Sequence, residues 1–480
     1  MTAARRLVLI ALALTVAAVA LLRLEGARSG VEIRPLRIGE TPATLYLPEG
    51  AERPPVAVVA HGFSGSRRMM EAISLSLARS GVAALAFDFR GHGLHPEPMS
   101  PDVTAIEGTT AGLVAQTLEV IEAAAARGEV VALVGHSMAT DVILRANLDR
   151  PVGRLVTIST YSDTVTATTP EALLLVSGAF EWRLRDVALG FVRQVDPLAE
   201  EGVTAAAGEV RRRAVAAPLV GHVGVLWSPT TLRETVAWVG GAEAGGIART
   251  GPWIALLLGA LVLGYRPVAS GLPAGPAPPG LSVLRFGAAV VAAGAGAAAA
   301  GLTLGAGVGL AGMGALAGSL AGWGGAALVV LGLSGRGPGR VPWTAVAACV
   351  TASLLFALAL DRYGAAFLPT GPRLPLLALW LPAALPFALA DAHLAWRVPL
   401  WRRAAMRLGL LSLLGGLMAL RPDVLGLNFT ALPVLALWFL VFGSLGRWTA
   451  RRAGPTAAGL ALAPALAWSL AAALPRFAAG

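Results

Sequence analysis

From about residue 252 to its end the chain runs through eight apolar stretches, near 252–265, 286–303, 312–333, 342–360, 374–392, 406–420, 428–446 and 457–475. Few folds are open to such a segment. In hydrocarbon every backbone N–H and C=O must find a partner within the chain, and uncharged runs approaching about 20 residues select membrane-spanning α-helices. Hydrophobic residues make up 56% of the 480 and charged residues 14%, a balance outside the range of soluble domains. A ninth stretch, Leu7 to Leu22, lies between Arg5-Arg6 and Arg23. It reads as an uncleaved anchor, with Ala18-Val19-Ala20 as the cleavage site of the signal-peptide alternative.

The formal net charge of +10 comes entirely from arginine, for the chain has no lysine, a compositional sign of a GC-rich bacterial genome. With a cytoplasmic N-terminus, alternation across nine spans puts thirteen arginines inside. These are Arg5, Arg6 and eleven in the loops from Arg266 through Arg336 and the Arg397–Arg407 group to Arg452. The outside loops and tail of the membrane half receive only four, Arg362, Arg373, Arg421 and Arg476. That is the positive-inside pattern of an inner-membrane protein, and it puts the stretch between the first two spans on the extracytoplasmic side. No basic stripe with interleaved aromatics appears, so no nucleic-acid partner is expected.

Within the apolar half Gly301, Gly305 and Gly309 recur every four residues, as do Gly314, Gly318 and Gly322. Small residues at that spacing let helix backbones approach closely. Asp391 and His393 are ionisable groups at membrane depth. Their nearness to the Arg397–Arg407 cluster favours an interfacial or arginine-paired role over a proton relay. The single cysteine, Cys349, lies in an apolar run, which rules out an intramolecular disulfide and suits an inert buried thiol.

The expected division is an anchor over 1–24, a hydrophilic domain over 25–245 and a polytopic domain over 246–480. In the hydrophilic domain an antiparallel pair is expected over 31–47, turning at Gly39-Glu40-Thr41. Apolar runs too short to span a membrane follow, with strands at 55–60, 82–87, 130–134, 154–160, 172–177 and 212–217. Between them helices are expected at 67–79, 110–127, 138–149, 183–195 and 230–239. The alternation predicts an α/β fold, a mostly parallel sheet with helices on both faces, joined to an all-α transmembrane bundle. In Val131-Ala-Leu-Val-Gly-His-Ser-Met-Ala-Thr140 an apolar strand runs through a sharp turn into a helix, which lifts the Ser137 hydroxyl clear of the sheet. Glu181 follows a later strand and His222 the last one.

The motifs His61-Gly62-Phe63, Asp88-Phe-Arg-Gly-His-Gly93 and Gly135-His-Ser-Met-Ala139 resemble, in order and spacing, those of the α/β-hydrolase superfamily of esterases and lipases. The ending His222-Val-Gly-Val-Leu-Trp-Ser-Pro-Thr230, followed by a helix with Trp238, is similar to that family's histidine loop and last helix. The resemblance covers about residues 31–240 and implies an α/β-hydrolase fold. It implies Ser137 as nucleophile, His222 as the base and later the acid, and Glu181 as the partner of the other ring nitrogen. It implies an oxyanion hole from the backbone N–H groups of Phe63 and Met138. Ala139 departs from the family's usual second glycine, and Asp163 and Asp186 compete with Glu181, since the family usually has Asp there. His61, His92 and His136 belong to the loop motifs, and His95 to a proline-rich loop. Only Tyr161 to Glu171 separate two strands where the family often inserts a lid, so the site is expected to be uncapped and open to a bulky or lipid-like acyl substrate.

No phosphate loop, metal-ligand cluster or dinucleotide fingerprint appears, so neither a cofactor nor a metal is expected. The combined reading is a membrane-tethered serine hydrolase that cleaves carboxylic esters through an acyl-enzyme. Peptidase, thioesterase or acyltransferase chemistry stays open on the same triad. The alternative from another class is a transporter or assembly protein whose hydrolase-like domain only binds.

Overall fold

The computed structural model describes residues 2–103, 105–240, 246–304, 312–332 and 340–478. Gly305, Gly309 and Arg336 lie outside the described residues, as does position 245 at the expected domain boundary. The chain forms two compact units, one of Ala20–Ala255 with Arg362–Ala366 and one of Met1–Val19, Leu256–Asp361 and Phe367–Gly480.

The first unit is built on one sheet. Its strands are β1 (Val31–Ile38), β2 (Thr41–Pro48), β3 (Val56–Ala60), β4 (Ala83–Phe87), β5 (Val130–His136), β6 (Arg154–Ile158), β7 (Ala172–Gly178), β8 (Thr204–Ala207) and β9 (Val210–Ala217). They lie in the order β1-β2-β4-β3-β5-β6-β7-β9-β8. The inner pairs, from β4–β3 to β7–β9, are parallel; β1–β2, β2–β4 and β8–β9 are antiparallel. Every residue of β3 (VAVVA) and β4 (AALAF) is buried, as parallel strands covered on both faces require. After the long N-terminal helix α1 (Ala3–Gly26), the covering helices are α2 (Glu71–Arg79), α3 (Ala111–Ala125), α4 (Met138–Asp149), α5 (Trp182–Arg193) and α6 (Pro229–Val239). Val59, Leu75, Val134, Val156, Leu174 and Leu232 share one core.

One strand was not foreseen. β8 is nearly all alanine, a poor strand former, and pairs with β9 because Gly208, at φ +58°, turns the chain back on itself.

The remaining helices are α7 (Gly251–Ala269), α8 (Val283–Leu304), α9 (Met313–Val330), α10 (Trp343–Tyr363), α11 (Leu376–Leu394), α12 (Leu400–Leu420), α13 (Pro422–Leu425), α14 (Ala431–Ala453) and α15 (Pro455–Ala473). Among the described residues nine helices, α1 and all of these but the short α13, are long and apolar enough to cross a membrane. Close helix approach involves members of both repeats, Gly301 against Ser319 and Gly322 against Gly296. A Cβ on Gly296 would sit 2.5 Å from the Gly322 carbonyl oxygen, so α8 and α9 touch backbone to backbone there. Trp380, Phe387 and Trp438 fill the core of this unit. Asp391 is paired with Arg407 through two hydrogen bonds of 3.0 and 2.7 Å, and His393 Nε2 lies 3.1 Å from Thr456 Oγ1.

Candidate active site

The sheet of the first unit delivers its chemistry at the carboxyl ends of its parallel strands, where open α/β sheets place their sites. Ser137 stands between β5 and α4 at φ +53°, ψ −118°, a conformation a non-glycine residue keeps only when its surroundings enforce it. The Ser137 N–H donates to the Ile158 carbonyl at 2.8 Å, and the Ser137 carbonyl accepts from the N–H and hydroxyl of Thr140 at 2.8 and 2.7 Å. Gly135 makes the turn possible, since a Cβ there would lie 2.8 Å from the Ala139 carbonyl oxygen. Ala139 itself is fully buried without disturbing that contact, so the extra methyl at the family's second glycine position is accommodated.

His222 lies in the loop after β9 and bridges two groups. Its Nε2 is 2.9 Å from Ser137 Oγ, and its Nδ1 is 2.6 Å from Glu181 Oε1. Glu181 sits on the turn after β7, where its other oxygen accepts from the Gly178 N–H at 2.6 Å and the Ser159 hydroxyl at 2.8 Å. Burial alone would raise this carboxyl, yet the hydrogen bonds from His222, Gly178 and Ser159 prevail and hold it below the ordinary carboxylate value. An ionised Glu181 accepts, so His222 carries its proton on Nδ1 and leaves Nε2 free to accept from Ser137. The Glu181 side chain is 7% exposed and that of His222 46%, so the imidazole faces solvent while the carboxylate does not. The competing carboxylates are elsewhere: Asp163 pairs with Arg145 at 2.6 Å, and Asp186 lies along α5.

The backbone of Gly62 and Phe63 passes directly beside the serine. A Cβ on Gly62 would lie 2.9 Å from Ser137 Cβ and 2.9 Å from His136 Nδ1. Met138 is the first residue of α4, where helix geometry leaves an N–H without an intrahelical acceptor. His61 fixes the Gly62–Phe63 loop: its Nδ1–H donates to the Gly62 carbonyl at 2.7 Å and its Nε2 accepts from the Phe89 N–H at 3.1 Å. Burial pushes the His61 imidazole down, in keeping with this neutral tautomer. The Asp88–Gly93 motif braces the same loop. Asp88 accepts from the Arg67 side chain and from the N–H groups of Arg67 and Leu94, at 2.8 and 2.9 Å, while the His92 ring meets the Phe63 ring edge-on at 5.4 Å.

The family model for the alpha/beta hydrolase fold matches residues 55–208. This unit has the α/β-hydrolase fold. Solved structures similar to it include a dienelactone hydrolase from Anabaena variabilis, 17% identical, covering 44% of this chain and 97% of its own at a TM-score of 0.33. An esterase from Pyrobaculum calidifontis is 15% identical, covering 50% and 98% at 0.33. A soluble variant of monoglyceride lipase from Saccharomyces cerevisiae, solved with a substrate analogue, is 11% identical, covering 44% and 96% at 0.32. No curated protein matches the chain.

Sequence reasoning missed Ser159 and gave His136 only a general place in the loop motifs. Ser159, at φ +58° after β6, supplies a donor to Glu181, and its only sequence mark is a small polar residue at the end of the strand beside the elbow. His136 donates from Nε2 to the His222 carbonyl at 2.8 Å and packs its ring 5.0 Å from the His222 ring. Burial pushes it down to about 4, with the His222 ring adding to the effect, so it supports the loop as a neutral donor. The short β6–β7 segment stays low against the sheet. Buried Arg212 on β9 binds the Thr166 and Thr169 carbonyls, and Ser162 donates to Asp141 at 2.6 Å. Around the triad Tyr161, Phe180, Trp182, Leu219 and Val223 are exposed.

Proposed function

We propose that the chain is a membrane-embedded serine hydrolase that cleaves carboxylic esters through an acyl-enzyme. The observation that carries this reading is the continuous relay from Ser137 through His222 to Glu181, at 2.9 and 2.6 Å. The α/β-hydrolase fold supports hydrolase activity, and the nine apolar helices support membrane embedding.

Ser137 Oγ attacks the ester carbonyl carbon as its proton passes to His222 Nε2. Glu181 stays a carboxylate and stabilises the imidazolium through Nδ1–H. The carbonyl oxygen, now an anion, is held by the N–H groups of Phe63 and Met138, each contributing about 10²–10³ in rate. Collapse breaks the ester C–O bond, the leaving alcohol takes the proton from Nε2, and the acyl group remains on Ser137. Water then attacks with the same base, releasing the carboxylic acid and restoring the serine. The exposed apolar residues around the triad and the short β6–β7 segment suit an acyl chain entering an uncapped cleft. The arginine distribution supports residues 1–24 as an anchor, 25–245 as an extracytoplasmic hydrolase domain and 246–480 as the polytopic part.

A fluorophosphonate probe tests the proposal on the purified full chain. Labelling that vanishes in Ser137→Ala is expected. A folded wild-type protein that takes up no probe would instead make the domain a binding module. Rates on p-nitrophenyl esters of increasing chain length then define the acyl group.

A further inference from the structure

The second unit contains a cavity of its own. Segments of α11, α12, α14 and α15, with the loop before α12, enclose about 690 Å³. Arg397, Arg403, Arg407, Arg447 and Arg451 line it, and among the described lining residues Asp391 is the only carboxylate. That carboxylate is already committed. It grips Arg407 through two hydrogen bonds, and the Arg407 guanidinium also stacks over the Phe439 ring at 4.6 Å. Gly443 leaves the room for this, since a Cβ there would come within 3.2 Å of Arg407 Nη1.

The other arginines have donors left over. Arg403 Nη2 reaches only the carbonyls of Ala395 and Val398, at 3.3 and 3.4 Å, and its Nε is buried without a partner. Arg447 Nε is likewise buried without a partner. Those two Nε groups are closed off from the cavity, so an oxyanion in it would be held by the terminal guanidinium nitrogens through charge-assisted hydrogen bonds. The anion has to present several oxygens, because the donors come from two helices. The remaining walls are apolar, with Ala392, Ala458 and Leu462 facing the arginines, so the space suits a charged head joined to a less polar stem. A cavity of this size belongs to the range of small-ligand sites.

We infer that this cavity binds a phosphate-bearing anion, with Arg403 and Arg447 as direct donors and Arg407 held ready by Asp391. The phosphate comes either from an anionic phospholipid headgroup, which the location among apolar helices favours, or from free phosphate. Either source makes this unit a ligand-binding element in its own right.

Native mass spectrometry of the full chain in neutral detergent tests the inference, with dioleoylphosphatidylglycerol, dioleoylphosphatidylcholine and inorganic phosphate as probes. Phosphatidylglycerol should be retained in preference to phosphatidylcholine. Arg403→Gln/Arg447→Gln should weaken that retention about tenfold or more, while Arg402→Gln, outside the cavity lining, should not. If phosphate instead raises the unfolding temperature of the wild type with no preference between lipids, the source is free phosphate and the site stands. Binding of neither probe, or equal binding by the double variant and the wild type, overturns it. If the double variant does not fold, Arg447→Lys keeps the charge and removes the paired guanidinium donors; retention equal to wild type in that variant overturns the inference as well.

Discussion

In the proposed relay Glu181 must be an anion with a fixed orientation, and its environment supplies both conditions. The Gly178 N–H and the Ser159 hydroxyl hold one oxygen while the other faces His222. Replacing Glu181 with Gln leaves the volume but offers His222 an amide that can donate, which favours the wrong tautomer. We expect kcat on an ester substrate to fall by about 10²–10⁴ with little change in KM, whereas Asp163→Asn leaves both alone. Equal losses in the two variants, measured side by side, would contradict the assignment. A second residue-scale expectation concerns acid. His136 titrates near 6.5 when unfolded and is pushed down to about 4 in the native protein. Between those values the unfolded chain binds a proton that the folded chain refuses. Stability is therefore complete above the unfolded value and drains away as pH falls towards the folded one, by about 3 kcal/mol across the window. Urea unfolding in detergent at several pH values should show this decline, and His136→Gln should flatten it. His61, also pushed down by burial, contributes in the same direction. An unchanged slope in the variant would remove His136 from the account.

At the scale of elements the nucleophile elbow is one mechanical part, and its tolerance is small. Gly135→Ala would press a methyl to 2.8 Å from the Ala139 carbonyl oxygen and 2.9 Å from Ile143 Cδ1, forcing β5 and α4 apart. A loss of about 1–3 kcal/mol, read as a lower urea midpoint, is expected together with slower probe labelling of Ser137. This part was legible in the sequence because three local signals agree there: an apolar run, a glycine before the serine and a helical period after it. Glu181 was legible for a similar reason, its position after Gly178 at a strand end. Ser159 was not, because its role arises from a positive φ and from convergence with a residue far along the chain. β8 was hidden because alanine carries no strand pattern, and only its neighbour β9 makes it a strand. The apolar helices were legible as elements but not at their ends. α12 begins at Leu400, earlier than the expected 406, since Arg402 and Arg403 look like loop charges in a one-dimensional reading.

For the whole molecule the question is which side of the membrane each charge occupies. The arginine bias predicts that exposed positions of the hydrolase domain face outward and that the loop with Arg451 and Arg452 faces the cytoplasm. The chain suits a direct test because its one cysteine, Cys349, is buried and out of reach of a polar reagent. Glu209, exposed at the β8–β9 turn, and Arg451, exposed near the end of α14, can each be replaced by cysteine. Glu209→Cys should react with a membrane-impermeant maleimide in intact cells, and Arg451→Cys only after lysis. The opposite order would reverse the topology and put the hydrolase domain in the cytoplasm. Labelling of both in intact cells would break the alternation of nine spans, because the two positions are separated by seven of them. Each position thus reports on the orientation, and the pair together reports on the number of crossings.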